Sequence, residues 1–314
     1  MRDRYVLIRP MCGLNDMFNQ IDRCYRYCKE YGRTLVIDTQ HCSFKDEFFE
    51  YFIPDDVNVK SFREWIGNGD HKGLSAFPKG VNVTSFNYRV QYVSDSGIFQ
   101  TSDNKLIRFN PKPPSLSKLI TMRLSRNGVF ITFDFGRDYP QDILIHQACG
   151  GGAHGGRGFN LFMVNDHIRQ KLWQRLQAIG GEFTAIHVRN TDLKTDYEGY
   201  FTEILPQIRK YPRIFLATDD RTVLDFFTSH GIDFHTFSKI ISADGLPFHD
   251  KDFKGDIRLR NTEAILDALT LSAAENIIFT NTQWQKPSGF VRLAQGLKSL
   301  GYVQKLKSRP VAAP

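Results

Sequence analysis

The chain has 314 residues, of which 41% are hydrophobic and 24% charged, values typical of a globular protein long enough for two domains. No apolar run approaches the ~20 residues of a membrane span, and no basic-then-apolar segment opens the sequence, so we expect neither a membrane helix nor a secretory signal. The formal net charge of +7 favours anionic partners such as nucleotides, lipid headgroups or nucleic acid.

The distribution of charges and cysteines narrows these classes. The 41 basic residues are spread among 34 acidic ones, whereas a nucleic-acid-binding protein should carry a basic stripe with interleaved aromatic residues. The five cysteines include no C-x-x-C pair, and Cys24 and Cys28 lie one helical turn apart, as on a buried helix face. We therefore expect no nucleic-acid partner, and reduced thiols in a cytosol.

The first forty residues predict a strand, a glycine-containing loop, a helix and a second strand. The strands are Tyr5–Arg9 and Thr34–Asp38, and the helix is Asp16–Tyr31. This is the first step of a doubly wound sheet. The loop contains Gly13 and lets a ligand approach the backbone, but it is neither a Walker A motif nor G-x-G-x-x-G. Asp16 has two open interpretations, a helix N-cap and a base that faces a cleft.

The sequence pattern in the middle of the chain predicts few secondary-structure elements. Residues 41–125 show mixed patterns without a clear element order, and Val129–Phe133 is a predicted strand. Cys149–Phe159 is the most glycine-dense tract. A flexible hinge between domains is the favoured interpretation, and a loop against a ligand is the alternative.

From residue 166 onward helical and strand patterns alternate, which is typical of a parallel α/β sheet. The basic stretch 296–310 is interpreted as a solvated tail, with a contact to an anionic membrane surface as the alternative. The predicted elements are helix Asp166–Ile179, strand Phe183–Val188, helix Tyr200–Lys210, strand Arg213–Ala217, a helix over Leu224–His230, strand Asp233–Phe237, helix Thr262–Ala274, strand Asn276–Phe279 and a last helix Gly289–Leu300.

Arg189 directly follows the predicted strand Phe183–Val188. Ligands of parallel α/β sheets lie just beyond the carboxyl ends of the strands. An arginine is always charged, and its planar fork can bind two phosphate oxygens at once. Arg189 is therefore a candidate phosphate ligand, and pairing with a nearby carboxylate is the alternative.

The motifs IHVRNTD, FLATDD, TEAILDALTLSAAENIIFTNT and SGFVRLA, in this order, resemble the donor domain of the α-1,6-fucosyltransferases. CGLNDMFNQ followed by YGRTLVID resembles their opening loop, helix and second strand. The resemblance implies an α/β fold of the GT-B class, in which two Rossmann-like domains face each other across a cleft. Residues 1–155 would form the acceptor-side domain and 156–314 the sugar-nucleotide domain, with the option that the last helix packs back on the first domain.

The same resemblance assigns roles to individual residues. Arg189 matches the family's essential arginine, which would neutralise the β-phosphate of GDP as the sugar leaves. His187 matches a histidine that contacts guanine or ribose, although a buried core histidine is the alternative. The further donor-binding positions are Asp219 near the nucleoside, Asp267 for guanine, Ser288 or alternatively Thr282 for phosphate, and Gly13 and Asn15 in the first loop.

The sequence departs from the family pattern at three positions. Asn190 replaces a second arginine, and Leu193 stands where a lysine is expected, with Lys194 next to it. One phosphate-binding charge is therefore missing or supplied elsewhere. Tyr197 occupies the position of the glutamate that is proposed as base in the family. The neighbouring Glu198 and the N-terminal Asp16 are therefore the two candidate bases.

The predicted function is inverting transfer of fucose from GDP-fucose to a hydroxyl of a glycan or lipid-linked oligosaccharide, without a metal ion or other cofactor. The predicted location is the cytoplasm, with peripheral contact at the inner membrane face through the basic C-terminal stretch as an option. The alternatives are a transferase of the same fold that uses another nucleotide sugar for bacterial surface polysaccharide, a sulfotransferase-like enzyme and an inactive sugar-binding module. MCGLND is not a phosphosulfate loop, which disfavours the sulfotransferase. Acceptor and oligomeric state are left open.

Overall fold

The computed structural model describes residues 3–86, 90–94, 97–102, 105–108, 130–148, 152–191, 194–239, 254–282 and 286–308. The chain divides into two compact units. The predicted boundary between residues 155 and 156 stays a prediction. The first unit comprises Met1–Cys12, Asp16–Phe49 and Pro54–Gly150, and the second comprises Gly13–Asn15, Glu50–Ile53 and Gly151–Pro314.

The first unit is built on a mixed sheet in the order β4-β2-β1-β10-β9-β6-β7-β8, with β5 beside β10. Its elements are β1 (Tyr5–Pro10), α1 (Leu14–Tyr31), β2 (Thr34–Ile37), β3 (Phe52–Pro54, whose first two residues belong to the second unit), β4 (Val59–Ser61), α2 (Phe62–Gly67), β5 (Ala76–Phe77), β6 (Val90–Ser94), β7 (Gly97–Ser102), β8 (Lys105–Arg108), β9 (Phe130–Ile131) and β10 (Ile143–Ala148).

Strand β1 is the centre of this sheet. It pairs in parallel with β2 on one side and with β10 on the other, and all six of its residues are buried. Parallel strands covered on both faces are buried along their whole length rather than at alternate residues, which is the pattern of β1. The predicted strand–loop–helix–strand opening is confirmed. The helix begins at Leu14, so Asp16 lies in its first turn and is not the N-cap.

The second unit contains a three-stranded parallel sheet in the order β13-β12-β14 and a two-stranded sheet of β3 and β11. Predicted strand Asp233–Phe237 is wrong as a regular strand, because His235 forms only an isolated bridge with Phe215. The elements are α3 (Gly155–Phe159), β11 (Phe162–Val164), α4 (Asp166–Ile179), β12 (Thr184–Val188), α5 (Tyr197–Ile208), β13 (Ile214–Thr218), α6 (Arg221–Ser229), α7 (Ile257–Ala273), β14 (Asn276–Phe279), α8 (Gly289–Ser299) and α9 (Tyr302–Ser308).

Helix α9 corrects the interpretation of the C-terminal stretch. Tyr302, Val303 and Leu306 are buried, and the Tyr302 hydroxyl donates to the carbonyl of Phe162 at 2.9 Å. Residues 302–308 are therefore a packed helix and not a solvated tail, whereas residues 309–314 lie outside the described part. None of the helices in the described ranges combines the length and the apolar character that crossing a bilayer requires.

Cys12 takes part in a disulfide, whereas Cys24, Cys28 and Cys42 are free and buried. The expectation that the cysteines are reduced is therefore wrong for Cys12. Burial raises the pKa of the Cys24 thiol well above its ordinary value, so this side chain behaves as a small apolar group of the core.

The glycines of helix α3 allow its backbone to approach helix α8. A Cβ atom added at Gly156 would lie 2.8 Å from both the Cα and the carbonyl carbon of Gly296. Gly155, Gly156, Gly158 and Phe159 are buried. The predicted flexible hinge is therefore wrong for residues 155–159, which form a packed helix. Residues 149–151 of the same tract lie outside the described residues.

We predict that Gly156→Ala destabilises the protein by ~1–3 kcal/mol, because the added methyl group cannot fit without moving one of the two helices. Gly67→Ala is the matched control, since a Cβ at Gly67 meets no atom within 4 Å and should change stability by less than about 1 kcal/mol. Denaturant unfolding of both variants measures the difference. Equal stability of the two variants would contradict the close backbone packing.

Candidate functional site

Strands β12 and β13 lie side by side and end in charged residues of opposite sign. Val188 pairs with Thr218 in the register, so the residues that follow the two strands emerge at the same edge of the sheet. Nη1 of Arg189 lies 2.8 Å from Oδ2 of Asp219, and the Arg189 side chain is 16% exposed. The structure thus places two of the predicted donor-binding residues in one ion pair.

Asp219 also holds the loop that follows Arg189. Its Oδ1 accepts the backbone N–H of Asn190 at 2.9 Å, and its Oδ2 accepts the hydroxyl of Thr191 at 2.7 Å. A buried carboxylate is stable only when its charge and its acceptor sites are matched in this way. Asp219 therefore orients both the guanidinium and the first two residues of the loop.

Asn190, which replaces the second arginine of the family pattern, has a different local role. Its side-chain amide donates to Oδ2 of Asp220 at 2.8 Å, and its backbone carbonyl oxygen accepts a hydrogen bond from Nζ of Lys194 at 2.7 Å. Lys194 also lies 3.9 Å from the Asp220 carboxylate. The loop thus brings a lysine beside Asn190, while Asp192 and Leu193 lie outside the described residues.

His187 is buried one residue before the end of β12, and its ring stacks on Phe290 with ring centroids 5.3 Å apart. Burial lowers the pKa of His187 to about 4, the Arg189 cation acts in the same direction, and the Asp219 carboxylate opposes both. His187 is therefore a neutral imidazole at pH 7, able to accept or donate a hydrogen bond.

The N-terminus of helix α8 lies beside the first loop of the chain. Ser288 is the N-cap and accepts the backbone N–H of Val291 at 3.3 Å. A Cβ atom added at Gly289 would lie 3.4 Å from Cβ of Asn15, and the Asn15 amide donates to the carbonyl of Gly152 at 3.2 Å. Asn15 and Ser288, both predicted donor ligands, are thus close together at an end of a helix that favours anions.

Gly13 and Thr282 are the remaining loop positions of the predicted donor site. A Cβ atom added at Gly13 would meet no atom within 4 Å, so the backbone there is open to an approaching group. Thr282 is buried, and its hydroxyl donates to the carbonyl of Lys286 at 3.0 Å. The choice between Thr282 and Ser288 as phosphate ligand stays a prediction.

Asp267 is buried in helix α7 and paired with a residue that sequence reasoning missed. Its Oδ1 accepts Nη1 of Arg175 at 2.7 Å and the hydroxyl of Ser238 at 2.7 Å. Arg175 also pairs with Glu263 and lies over the ring of Phe237. Burial raises the pKa of Asp267 in spite of these contacts. Glu263 and Asp267 are four residues apart and therefore lie on the same face of the helix. This spacing is the sequence signal from which a cation that contacts both carboxylates could have been predicted.

The two predicted bases differ in their surroundings. Glu198 is exposed in the first turn of α5, and it accepts the Tyr197 hydroxyl at 3.0 Å. Asp16 is partly buried in the first turn of α1, in the first unit, whereas Glu198 belongs to the second. Their assignment as base stays a prediction.

The comparisons with known proteins identify the fold. No protein-family model matches the chain, and no curated protein matches it in sequence. Among solved structures, the chain is similar to the fucosyltransferase NodZ from Bradyrhizobium, with 19% identity, a TM-score of 0.57 and coverage of 94% of this chain and 93% of that one.

The chain has the GT-B fold of the fucosyltransferases. A structure of NodZ α-1,6-fucosyltransferase co-crystallised with GDP matches with 18% identity and a TM-score of 0.57, over 94% of this chain and 92% of that one. POFUT1 in complex with GDP-fucose matches with 10% identity and a TM-score of 0.52, over 95% and 94% of the two chains. The fold expected from the motifs is confirmed.

We predict that the free energy of unfolding falls as pH decreases from about 6.5 to about 4, because the unfolded chain protonates His187 there and the folded chain does not. The contribution of neutral His187 to the free energy of unfolding is fully present above pH 6.5. Between about pH 6.5 and pH 4 it is lost at about 1.4 kcal/mol per pH unit. Buried His146, whose pKa is lowered to about 3, acts in the same direction. Urea unfolding of the wild type and of His187→Gln at pH 7 and pH 4.5 separates the contribution of His187 from that of His146. Between these two pH values the free energy of unfolding should fall by roughly 2 kcal/mol less in the variant than in the wild type. Identical losses would contradict the buried neutral state of His187.

Proposed function

We propose that this protein is a glycosyltransferase that transfers fucose from GDP-fucose to a hydroxyl group of a glycan or lipid-linked oligosaccharide. The observation that carries the proposal is the arrangement at the β12 and β13 ends, where Asp219 orients Arg189. The fold shared with NodZ, which was co-crystallised with GDP and soaked with GDP-fucose, supports the choice of donor.

In the proposed reaction, Arg189 lies at the β-phosphate of GDP and stabilises the negative charge that develops as the sugar leaves. Ser288 and the N-terminus of α8 provide further N–H donors for the diphosphate. His187 contacts the nucleoside as a neutral group. The acceptor hydroxyl attacks C1 from the opposite side, so the transfer inverts the configuration at that carbon. Metal independence is part of this proposal.

Asp267 recognises the base in the proposed complex. Its Oδ1 is occupied by Arg175 and Ser238, whereas Oδ2 accepts no hydrogen bond from the residues that the structure describes. Guanine offers two adjacent donors, N1–H and N2–H. Arg175 opposes the effect of burial on the pKa of Asp267 and orients its carboxylate, and the ligand supplies the remaining partners.

The alternative within the same fold is a different nucleotide sugar, used for bacterial surface polysaccharide. The observation behind it is the Asn190–Asp220 hydrogen bond, which replaces a second arginine in the donor loop. The cytoplasmic location and the membrane contact are proposals as well. The disulfide at Cys12 weighs against the thiol argument for the cytoplasm, and a membrane contact would have to depend on lysines, since the apolar residues of α9 are buried.

A nucleotide panel tests the donor. We predict that GDP raises the thermal midpoint of unfolding and that UDP, CDP and ADP at equal concentration do not, because only guanine presents two donors to Asp267. At one hundred times its dissociation constant, GDP should add ~2.7 kcal/mol of stability. Stabilisation by UDP but not by GDP would exclude fucose as the sugar and favour the alternative donor.

A second prediction concerns Arg189. Arg189→Lys retains the positive charge but not the fork, so the affinity for GDP should fall by roughly 10- to 100-fold, the equivalent of one charge-assisted hydrogen bond. The matched control is Arg209→Lys at the exposed end of α5, where the guanidinium donates only to the carbonyl of His230 among the described residues. Calorimetric titration with GDP measures both variants, and unchanged affinity of Arg189→Lys would exclude Arg189 as the phosphate ligand.

A further inference from the structure

The charged side chains that follow β12 and β13 balance one another. Nη1 of Arg189 lies 2.8 Å from Oδ2 of Asp219, and Nζ of Lys194 lies 3.9 Å from Oδ2 of Asp220. Each cation in these two pairs therefore already faces a carboxylate. The diphosphate of a nucleotide is a polyanion, and proteins bind such groups with guanidinium groups and with the N–H groups at helix N-termini. A diphosphate at this edge of the sheet requires positive charge beyond these two pairs.

Helix α8 contributes an arginine that has no counter-ion in the described part of the chain. Arg292 is the fourth residue of the helix, and its backbone N–H donates to the carbonyl of the N-cap Ser288 at 3.1 Å. Its Nε atom is buried without a hydrogen-bond partner, and the guanidinium makes no ion pair with any residue in the described ranges. A buried donor of a charged group is costly without an acceptor. Arg292 is therefore suited to an anionic ligand.

Two contacts within the second unit hold the first turn of α8 at the carboxyl edge of its sheet. The ring of Phe290 stacks on that of His187, one residue before the end of β12. A Cβ atom added at Gly289 would lie 3.4 Å from Cβ of Asn15. Arg292 belongs to the same turn, and the side chains of a helix lean toward its N-terminus. Its guanidinium therefore lies toward the edge that carries the predicted donor-binding residues.

Arg292 lies on the side of α8 that approaches α3. It stands three residues after Gly289 and four before Gly296, a spacing that places all three on one side of a helix. A Cβ atom added at Gly296 would lie 3.2 Å from Cα of Gly156. The Nε atom of Arg292 is buried, whereas the residue as a whole is partly exposed. An arginine commonly buries its stem and keeps its charged head accessible, so a ligand can reach the guanidinium.

A second polar group at this edge also lacks a partner. Thr280 directly follows β14, whose last residue Phe279 pairs with His187 in the register. Thr280 is 5% exposed, and its hydroxyl forms no hydrogen bond with the residues that the structure describes. Buried hydroxyl groups in native proteins are nearly always paired. This observation is independent of α8, and it indicates that the same edge of the sheet receives a polar ligand.

We propose that Arg292 is a second cation that binds the diphosphate of the donor, together with Arg189; the inference rests on the proposed function. Its guanidinium donates to phosphate oxygens, and the first N–H groups of α8 bind the same anion. The loop after β12 does not have to provide this charge, because its Asn190 amide donates to Asp220 instead. Arg292 thus supplies from a helix the phosphate-binding charge that the chain lacks at position 190.

The unpaired guanidinium of Arg292 has a consequence for the protein without ligand. Arg292→Met keeps an unbranched side chain of similar length and removes the buried donor that lacks an acceptor. The free energy of unfolding of the ligand-free variant should therefore equal or slightly exceed that of wild type. If Arg292 served only to hold α8 in place, the same substitution would destabilise the ligand-free protein. Urea unfolding in the absence of nucleotide distinguishes the two roles.

Affinities for GDP and for guanosine separate a diphosphate contact from a general effect on the site. GDP is titrated calorimetrically, and guanosine is measured by its displacement of GDP. Arg292→Met should lose roughly 10- to 100-fold in affinity for GDP, the equivalent of one charge-assisted hydrogen bond, while its affinity for guanosine stays within about twofold of wild type. Arg292→Lys retains the charge and should lose less. The matched control is Arg221→Met, at the exposed start of α6, which should bind both ligands as wild type does.

The results that overturn the inference differ from the result that overturns the proposed function. If wild type binds GDP and Arg292→Met binds it with equal affinity, Arg292 is not a diphosphate ligand, and the proposed function stands. Equal losses of affinity for GDP and guanosine, or a lower urea midpoint of the ligand-free variant, would assign Arg292 a structural role and overturn the inference alone. Absence of GDP binding by wild type would overturn the proposed function and the inference together.

Discussion

The ion pair between Arg189 and Asp219 joins the two motifs on which the site depends. The residues are thirty positions apart in the chain, but β12 and β13 are neighbours in register, so the two charges leave the sheet side by side. A buried carboxylate must be matched by hydrogen-bond donors. Asp219 pairs with the Arg189 guanidinium and accepts hydrogen bonds from a backbone N–H and a threonine hydroxyl. This requirement fixes the path of the loop and with it the position of Arg189.

The first unit uses the same construction. Arg9 near the end of β1 pairs with Asp38 after β2, as Arg189 after β12 pairs with Asp219 after β13. In each case two adjacent parallel strands, joined by one helix, bring an arginine and an aspartate to the same edge of a sheet. The carboxylates then act on different partners: Asp219 orients a cation and a loop, whereas Asp38 orients a histidine. The two units thus present a fixed cation and a fixed imidazole at equivalent ends of their sheets.

Much of the second unit could be predicted from the sequence, because helical and strand periodicities report burial directly. Helix Asp166–Ile179 and strand Asn276–Phe279 have the predicted bounds, and other elements differ by a few residues at their ends. The errors arose where burial depends on distant partners. The glycines of α3 indicate flexibility in isolation but are required by the close approach of Gly296, and the apolar residues of α9 look like a tail until Phe162 is placed beside them.

In the candidate site, too, some features could be predicted from the sequence and others depend on distant partners. The sequence by itself determined which strands end in charged or polar residues, and hence that Arg189, His187 and Asp219 belong to a ligand-binding edge. Only the tertiary structure decided how the charged groups are paired. Arg189 pairs with Asp219, Arg175 pairs with Asp267, and the His41 ring contacts the Asp38 carboxylate. The reason is physical. Periodicity records whether a side chain is buried, whereas the partner of a buried charge depends on which strands become neighbours, and that is a property of the folded chain.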